Sequence, residues 1–253
     1  MKKNCFDLTG KTAVVTGANT GIGQGICLAL AEAGADIVGV ARRDMSETQM
    51  QVEQKGVRFL PVIADLITLD CVDEILEKAI NAFGKVDILV NNAGIIRRED
   101  AINFSVADFD DVINTNLRTL FFLSQAFAKK FIEQGNGGKI INIASMLSYQ
   151  GGIRVPAYTA SKSAVMGLTK AMANEWAKFG INVNAIAPGY IATNNTEKLR
   201  NDPKRYQEIL DRIPAGRWGN PSDIGGTAVF LSSSASDYIH GFTIAVDGGW
   251  LSR

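Results

Sequence analysis

Tyr158 and Lys162 have types and a spacing that suggest proton-transfer chemistry, within the stretch PAYTASKSAVMGLTKAMANEWAKFG. In a helix, residues four apart lie on one face, so both side chains can reach a shared ligand. A free phenol has a pKa of about 10, and a neighbouring ammonium group lowers that pKa by stabilising the phenolate. Tyr158 could then take a proton from an alcohol or return one to a carbonyl. From spacing alone, a packed tyrosine and a lysine that extends to solvent is the better interpretation.

Two further segments favour the catalytic interpretation. KIINIASMLS is typical of a strand that ends at Ser145, and DILVNNAG of a strand that ends at Asn91, Asn92 and Gly94. Open α/β sheets bind ligands at the carboxyl ends of their strands. A serine hydroxyl there could hold a reacting oxygen against Tyr158, so we expect these residues to share one cleft.

The stretch VVTGANTGIGQG joins the first expected strand to the first expected helix. Gly17, Gly21 and Gly23 would let the backbone turn tightly and approach a pyrophosphate, which a helix N-terminus attracts. Their spacing is Gly-x3-Gly-x-Gly, and three glycines can also serve helix–sheet packing. The position between a strand and a helix favours a dinucleotide site.

The residues after the second strand concern the choice of dinucleotide. An acidic residue about 20 positions beyond the glycine turn would bind the ribose 2′-hydroxyl of NAD. Ala41, Arg42 and Arg43 stand there instead. An arginine could pair with the 2′-phosphate of NADP, or both arginines could be solvated. These residues leave the preference open.

Short apolar runs alternate with longer helical patterns along the chain. Several helical segments end at glycine, and runs such as TAVVT are apolar without alternation, as in strands covered on both faces. We predict one α/β domain over residues 1–253, a Rossmann fold with a seven-stranded, parallel, doubly wound sheet and helices on both faces. Residues 190–219 are interpreted as a substrate-loop insertion. The expected strands are Thr12–Thr16, Asp36–Val40, Phe59–Ile63, Asp87–Val90, Lys139–Ile143, Asn182–Ile186 and Thr243–Val246.

The composition argues against several classes of protein. Of 253 residues, 46 % are hydrophobic, and 26 positive charges balance 26 negative ones, so no nucleic acid or anionic membrane is expected as a partner. No apolar run approaches a membrane span, and the start MKKNCFDLTGK lacks a signal-peptide core, so a cytoplasmic protein is expected. Three unclustered cysteines and a single histidine, His240, predict free thiols and no metal site.

The ordered motifs resemble the classical short-chain dehydrogenase/reductase family over essentially the whole chain. The matching elements are TGANTGIG, ADL, NNAG, INTNL, Ser145, YTASK and PGYIAT. The resemblance implies a catalytic tetrad of Asn116, Ser145, Tyr158 and Lys162. Tyr158 would be the acid/base, Ser145 would orient the substrate, and Lys162 would tune Tyr158 and reach the nicotinamide ribose. Asn116 would anchor a water molecule that relays protons.

The same resemblance implies hydride transfer between a CH–OH group and NAD, with NADP as the alternative. Asp65 would contact adenine, and Pro188 to Thr193 would close over the nicotinamide. The expected cofactor-binding residues are Gly17, Asn19, Thr20, Gly21, Ile22, Gly23, Arg42, Asp65, Leu66, Asn91, Ala93, Gly94, Tyr158, Lys162, Pro188, Gly189, Ile191 and Thr193.

Four less common stretches narrow the substrate class. NAGIIRREDA, QGNGGKIINIASMLSYQGGIRVPAYTASKS, NAIAPGYIATNNT and RIPAGRWG resemble sugar-acid dehydrogenases within this family. That resemblance implies oxidation of the C5 hydroxyl of 2-dehydro-3-deoxy-D-gluconate in uronate breakdown, or reduction of the diketone, preferably with NAD. Arg154 could fork onto the carboxylate of such a keto sugar acid. The other candidates for substrate contact are Ser145, Gln150, Asn194 and Asn195, with Arg97 and Arg98 as weaker carboxylate partners.

Three alternatives stay open: a 3-oxoacyl-carrier-protein reductase, a gluconate 5-dehydrogenase and a non-catalytic dinucleotide-binding protein. Lys129 and Lys130 could contact an acidic carrier, although a basic pair late in a helix is commonly solvated. His240 is expected to be a packing or interface residue.

The helix that carries Tyr158 also suggests oligomerisation. On a helical wheel its polar residues form a narrow stripe, and Leu168, Met172, Trp176 and Phe179 cover much of the remainder, with Glu175 unexplained among them. We therefore expect a subunit contact there. The family resemblance implies a homotetramer, and the tail DGGWLSR is expected to support its contacts.

Overall fold

The computed structural model describes residues 4–253; Met1–Lys3, which open the stretch expected to lack a signal-peptide core, lie outside the described residues. Residues 4–253 form one α/β domain around a seven-stranded parallel sheet of order β3-β2-β1-β4-β5-β6-β7. The strands are β1 Thr12–Thr16, β2 Asp36–Ala41, β3 Phe59–Ile63, β4 Ile88–Asn91, β5 Gly138–Ile143, β6 Ile181–Pro188 and β7 Thr243–Val246. The predicted fold is confirmed.

Nine α-helices connect these strands within residues 4–253. They are α1 Gly21–Glu32, α2 Ser46–Glu53, α3 Cys71–Phe83, α4 Val106–Ile113, α5 Thr119–Gln134, α6 Pro156–Trp176, α7 Glu197–Arg200, α8 Pro203–Leu210 and α9 Pro221–Ser232. The chain moves outward along the sheet from β1 to β3 and then crosses back to β4. This reversal opens a crevice at the carboxyl ends of β1 and β4, the usual ligand site of such sheets.

Two apolar layers explain why the strands are apolar without alternation. Val15 in β1 packs into a layer with α1 and α9, for example against Ile26 and Ile224. Its neighbour Val14 packs on the opposite face, in a layer with α3, α5 and α6 that contains Phe127. Because successive side chains of a strand point to opposite faces, a doubly covered strand must be apolar at every position.

The boundaries of β1, β3 and β7 agree with the sequence prediction, and those of the other strands differ by one or two residues. The helical stretch after β4 is interrupted, because a π-helical segment, Asn114–Arg118, separates α4 from α5. Asparagine and threonine are weak helix formers, and the buried Asn116 bonds outside the helix to the backbone of Ile95. These side-chain bonds explain the local break.

The insertion at residues 190–219 has a small core of its own. Its ends meet at a bridge between Ile191 and Gly219. Tyr190 packs edge-on against Trp218 and Trp250, at ring-centroid distances of 5.3 and 4.8 Å. Trp250 is thus buried inside its own chain, and the prediction that the tail serves oligomer contacts is not supported at this residue.

The face of α6 that was expected to contact another subunit is mostly used within the chain. Met172 is buried, and Leu168 and Trp176 pack against the same layer as α5. Phe179, just after α6, is exposed, and so is Glu175. Packing against the sheet and α5 accounts for most of these apolar residues, and the expected subunit contact on α6 stays a prediction.

Three other expectations concern absences and can be compared with residues 4–253 alone. Cys5, Cys27 and Cys71 are free thiols there. Groups of three or more residues able to hold a metal ion do not occur in that part of the chain. The helices of the same part include none that is long and apolar enough to cross a membrane.

Candidate active site

A cavity of about 430 Å³ lies at the carboxyl ends of the central strands. It extends from the turn after β1 to the first turns of α6, so it joins the glycine-rich turn to Tyr158 and Lys162. The expected site residues that line it are Gly17, Asn19, Thr20, Gly21, Ile22, Gly23, Arg42, Asp65, Leu66, Ala93, Gly94, Tyr158, Lys162, Thr193 and Asn194.

The glycine turn at one end of this cavity fits an anionic group. Gly17 has a φ of +69°, and a Cβ atom added there would lie 2.8 Å from Asn92 Nδ2. At Gly23 an added Cβ would overlap the carbonyl oxygen of Gly17. The helix α1 begins at Gly21, and the Thr20 side chain does not cap it. Its first N–H groups are therefore left for a ligand such as the pyrophosphate of a dinucleotide.

The next part of the cavity carries two arginines at the end of β2. Arg42 and Arg43 both line it, and Arg42 forms a long ion pair with Asp65, 3.7 Å between Nη1 and Oδ2. Ala41 ends β2 where NAD-specific proteins place a carboxylate. This charge pattern can accept the 2′-phosphate of NADP, and Arg42 keeps its exposed position beside Asp65.

Tyr158 and Lys162 line the other end of the cavity, and Ser145 lies beside Tyr158 just outside the lining. Ser145 follows β5 and caps a short 3₁₀-helix, Met146–Ser148, by accepting the Leu147 N–H at 3.1 Å. Pro156 begins α6 and places Tyr158 in its first turn. The Lys162 Nζ donates to the carbonyl oxygen of Ile143 at 2.6 Å and lies 5.7 Å from the centre of the Tyr158 ring.

The electrostatics of these groups differ from the sequence prediction. Burial raises the pKa of Tyr158, while the Ser145 hydroxyl and the charge of Arg98 act in the opposite direction. Burial also lowers the pKa of Lys162 to about 8. The expected net lowering of the phenol pKa by a neighbouring ammonium group is therefore wrong for this structure. Desolvation dominates, and the cation that favours the phenolate is Arg98.

Asn116 lies beneath the cavity instead of in its wall. It is fully buried, accepts the Ile95 N–H at 2.8 Å and donates to the Ile95 carbonyl oxygen and to Ser161 Oγ. A Cβ atom added to Gly94 would lie 3.2 Å from Asn116 Oδ1 and 3.7 Å from Lys162 Nζ. The Asn116 side chain thus fixes the Gly94–Ile95 backbone close to Lys162.

Four residues predicted to bind the cofactor do not line the cavity. Asn91 is buried at the end of β4, and its amide donates to Ser124 and Asn142, because a strand residue at this register points into the covered face of the sheet. The others lie in the segment after β6, which packs on β7 and on Gly219. They are Pro188, Gly189 and Ile191.

The arginines near the substrate end separate into paired and unpaired side chains. Arg154 pairs with Asp100 at 3.1 Å and Glu99 at 3.5 Å, outside the cavity. Arg97 lines the cavity but forms ion pairs with Asp108 and Asp111 of α4, at 3.1 and 3.2 Å. Arg98 has no carboxylate partner within residues 4–253 and donates to the Asn195 carbonyl oxygen at 3.2 Å. Neither Arg154 nor Arg98 lines the cavity, and the role of Arg154 as the carboxylate ligand stays a prediction.

Of the remaining candidates for substrate contact, some line the cavity and others lie outside it. Asn195 lines the cavity with Asn194, whereas Gln150 lies outside it and accepts from Arg212 at 3.4 Å. His240 is exposed and contacts Asn182, and neither residue lines the cavity. The sequence analysis did not single out seven wall residues, six of which are apolar and carry no catalytic or binding signal. They are Val40, Ala64, Ile67, Ile95, Ile96, Thr115 and Ile143.

Comparisons with known proteins agree with this geometry. The chain is 66 % identical over 250 residues to the 2-dehydro-3-deoxy-D-gluconate 5-dehydrogenase of Escherichia coli (strain K12), an alignment that covers 99 % of each protein. It is 58 % identical over 252 residues to the enzyme of that name from Bacillus subtilis (strain 168), with 99 % and 98 % covered.

A solved structure and a family model also match most of the chain, under other descriptions. A crystal structure from Agrobacterium tumefaciens with bound NADP has a TM-score of 0.94 and 56 % identity, and the match covers 99 % of this chain and 100 % of that one. A family model described as enoyl-(acyl carrier protein) reductase matches residues 17–251. The chain belongs to the short-chain dehydrogenase/reductase family.

Proposed function

We propose that the protein is a 2-dehydro-3-deoxy-D-gluconate 5-dehydrogenase that uses NAD or NADP. The observation that carries this proposal is one cavity that joins the glycine turn to Tyr158 and Lys162, with Ser145 and Arg98 both acting on Tyr158. The relatives at 66 % and 58 % identity bear this name, and the Agrobacterium structure holds NADP.

The glycine turn and α1 bind the dinucleotide in this proposal. The uncapped N-terminus of α1 holds the pyrophosphate, Asp65 lies at the adenine side, and Arg42 with Arg43 accepts a 2′-phosphate when NADP is used. Lys162 lies where it can hold ribose hydroxyls. When bound, the nicotinamide ring accepts or supplies the hydride.

Tyr158 moves the proton at the substrate oxygen. Because burial keeps its pKa high, the phenol is protonated near neutrality and can donate to a carbonyl oxygen during reduction. Oxidation needs the phenolate, which Ser145 and Arg98 favour and which becomes more populated as pH rises. Ser145 holds the same substrate oxygen, since its hydroxyl lies beside the phenol.

Arg98 supplies the counter-charge for the substrate carboxylate. Its charge reaches Tyr158, and its guanidinium group touches the backbone of Asn195 in the cavity wall. A planar guanidinium group can replace a single carbonyl contact with a bidentate pair to a carboxylate. Asn194 and Asn195 then lie close enough to bind substrate hydroxyls.

An initial-rate panel tests the proposal against its alternatives. We expect 2-dehydro-3-deoxy-D-gluconate to give a kcat/KM at least tenfold above that of gluconate and acetoacetyl thioester, with NAD and NADP each tried. Preference for gluconate would make the protein a gluconate 5-dehydrogenase. Preference for the thioester would favour the carrier-protein reductase, although Lys129 and Lys130 lie on α5, away from the cavity.

We also propose a homotetramer with contacts at two separate surfaces. Phe109 and Phe122 are exposed on α4 and α5, and Tyr238 and Phe242 are exposed before β7. Two different self-complementary surfaces produce a tetramer of paired dimers. Sedimentation at micromolar concentration should give four times the chain mass, and a monomer there contradicts the proposal.

A further inference from the structure

We propose that Ser148 is a positioning residue that couples Ser145 to Lys162 through its hydroxyl group. Its Oγ accepts the backbone N–H of Ser145 at 3.3 Å and donates to the carbonyl oxygen of Lys162 at 2.6 Å. One hydroxyl therefore bridges the backbones of two residues on different elements. The inference rests on the proposed function, because it assigns Ser145, Tyr158 and Lys162 to catalysis.

The two ends of this bridge would otherwise be connected only indirectly. Ser145 follows β5, whereas Lys162 lies in the second turn of α6. Two side-chain links also join this region to α6, from Lys162 Nζ to the Ile143 carbonyl oxygen and between the Ser145 and Tyr158 hydroxyl groups. The Ser148 bridge is the contact that attaches the Ser145 backbone itself to α6.

The direction of the hydroxyl proton makes the bridge specific. A serine hydroxyl has one proton, and here the Lys162 carbonyl takes it, so a lone pair remains for the Ser145 N–H. The short O–H···O bond to the Lys162 carbonyl oxygen fixes the orientation of the hydroxyl group. The Ser148 oxygen can then accept the Ser145 N–H. An alanine removes both side-chain contacts at once, so the Ser145 backbone is then held only by the bonds within its own turn.

Movement of Ser145 affects Tyr158 because the Ser145 hydroxyl interacts with the phenol. The Ser145 hydroxyl lowers the pKa of Tyr158 against the effect of burial. It is also tied to the Leu147 N–H within the same short helix that ends at Ser148. Loss of the bridge should therefore weaken the Ser145–Tyr158 interaction and slow the proton transfer. It should leave dinucleotide binding at the glycine turn unchanged.

The test compares Ser148→Ala with Ser148→Thr and Ser148→Cys in the full enzyme. For Ser148→Ala we expect kcat to fall about tenfold, since small displacements near the reacting atoms are costly. The oxidation pH profile should shift upward, because the phenolate becomes harder to form. Dinucleotide affinity, measured by fluorescence, should stay within about twofold of the native value.

The conservative variants separate positioning from packing. Ser148→Thr keeps a hydroxyl and should recover most of kcat and the native pH profile. Ser148→Cys keeps the volume with a weak donor, and should show the same upward shift. If Ser148→Ala does not fold, the threonine and cysteine variants still decide. Ser163→Ala, at an exposed serine of α6, is the matched control and should behave as native protein.

Two results would overturn the inference. One is a native pH profile and kcat in both the alanine and cysteine variants. The other is an equal fall of kcat in all three variants, which would indicate packing alone. A native enzyme that turns over another substrate but not the sugar acid would refute the proposed function, and the Ser148 comparison could then be made with that substrate.

Discussion

The two ends of the cavity are built from different parts of the chain. At the dinucleotide end, Gly17 and Gly23 leave space for backbone N–H groups, and the turn is held between β1 and α1. At the substrate end, side chains from a loop, a helix and a strand end converge, namely Arg98, Tyr158 and Ser145. The dinucleotide end is built from backbone groups, so the order of strands and helices along the chain determines it. The substrate end is built from side chains, so it depends on which charged side chains form ion pairs with each other.

The largest predicted effect is the loss of turnover in Tyr158→Phe, a change confined to the substrate end of the cavity. Removing the hydroxyl should lower kcat by about 10³-fold, because a positioned acid/base contributes on that order. Dinucleotide affinity should stay within about threefold, since the glycine turn is untouched. Stopped-flow fluorescence and initial rates measure the two quantities. A parallel loss of dinucleotide binding would show that the two ends are not separable.

The converse variant, Gly23→Ala, should damage the dinucleotide end. The added methyl group would overlap the carbonyl oxygen of Gly17, and relief of such overpacking costs roughly 1–3 kcal/mol. If the turn shifts to relieve it, dinucleotide affinity should fall roughly 10- to 100-fold. Isothermal titration gives the affinity.

Gly226→Ala is the matched control for that variant. Gly226 lies in α9, and a Cβ atom added there has nothing within 4 Å. Its dinucleotide affinity should be native, and its stability equal or slightly higher, because alanine favours a helix. Native affinity in Gly23→Ala would mean that the turn tolerates a side chain, contrary to the steric argument.

The same division explains how much could be predicted from the sequence. The apolar runs identified every strand, and β1, β3 and β7 had the observed limits, because doubly covered strands leave a clear pattern. The glycine turn was placed correctly because it directly follows β1, one of these clearly patterned strands. Asn91 and Asn92 show the limit of this reasoning. They are adjacent, but Asn91 is buried in the sheet while Asn92 lines the cavity, and a change of one residue reverses the side.

The substrate end was harder to predict because ion pairs there join distant parts of the sequence. Arg154 looked suitable by its position between Ser145 and Tyr158, but Glu99 and Asp100 neutralise it from another loop. Arg98 was only a weaker candidate from the sequence, and its effect on Tyr158 joins two distant parts of the chain. A sequence gives the charges but not their partners.

Arg98→Ala and Arg154→Ala test this distinction directly. Losing a charge-assisted contact to the substrate costs roughly 1.5–3 kcal/mol, so KM for the sugar acid should rise roughly 10- to 100-fold in Arg98→Ala. Arg154→Ala should change KM by less than about threefold, since Glu99 and Asp100 already hold that side chain. Initial rates over a range of substrate concentrations measure both. The opposite order would return the carboxylate role to Arg154.

The smallest expected effect concerns Lys162, where the two ends of the cavity meet. Burial lowers its pKa to about 8 in the folded protein, and in the unfolded chain a lysine titrates near 10.4. Between these values the unfolded state binds the extra proton, so the native protein should become more stable as pH rises through this window. Lys162→Met lacks this dependence. The native free energy of unfolding should therefore gain about 1 kcal/mol on that of the variant between pH 7 and pH 9.

Urea unfolding at the two pH values measures this gain, with Lys170→Met as the control. Lys170 is exposed on the same helix, so its removal leaves the same charge change without the buried ammonium group. The difference between native protein and Lys170→Met should be equal at both pH values. A similarly constant difference for Lys162→Met would mean that Lys162 keeps its proton through this range despite its burial. Its charge would then act on Tyr158 more strongly than the structure indicates, and the substrate end would depend on two cations instead of Arg98 alone.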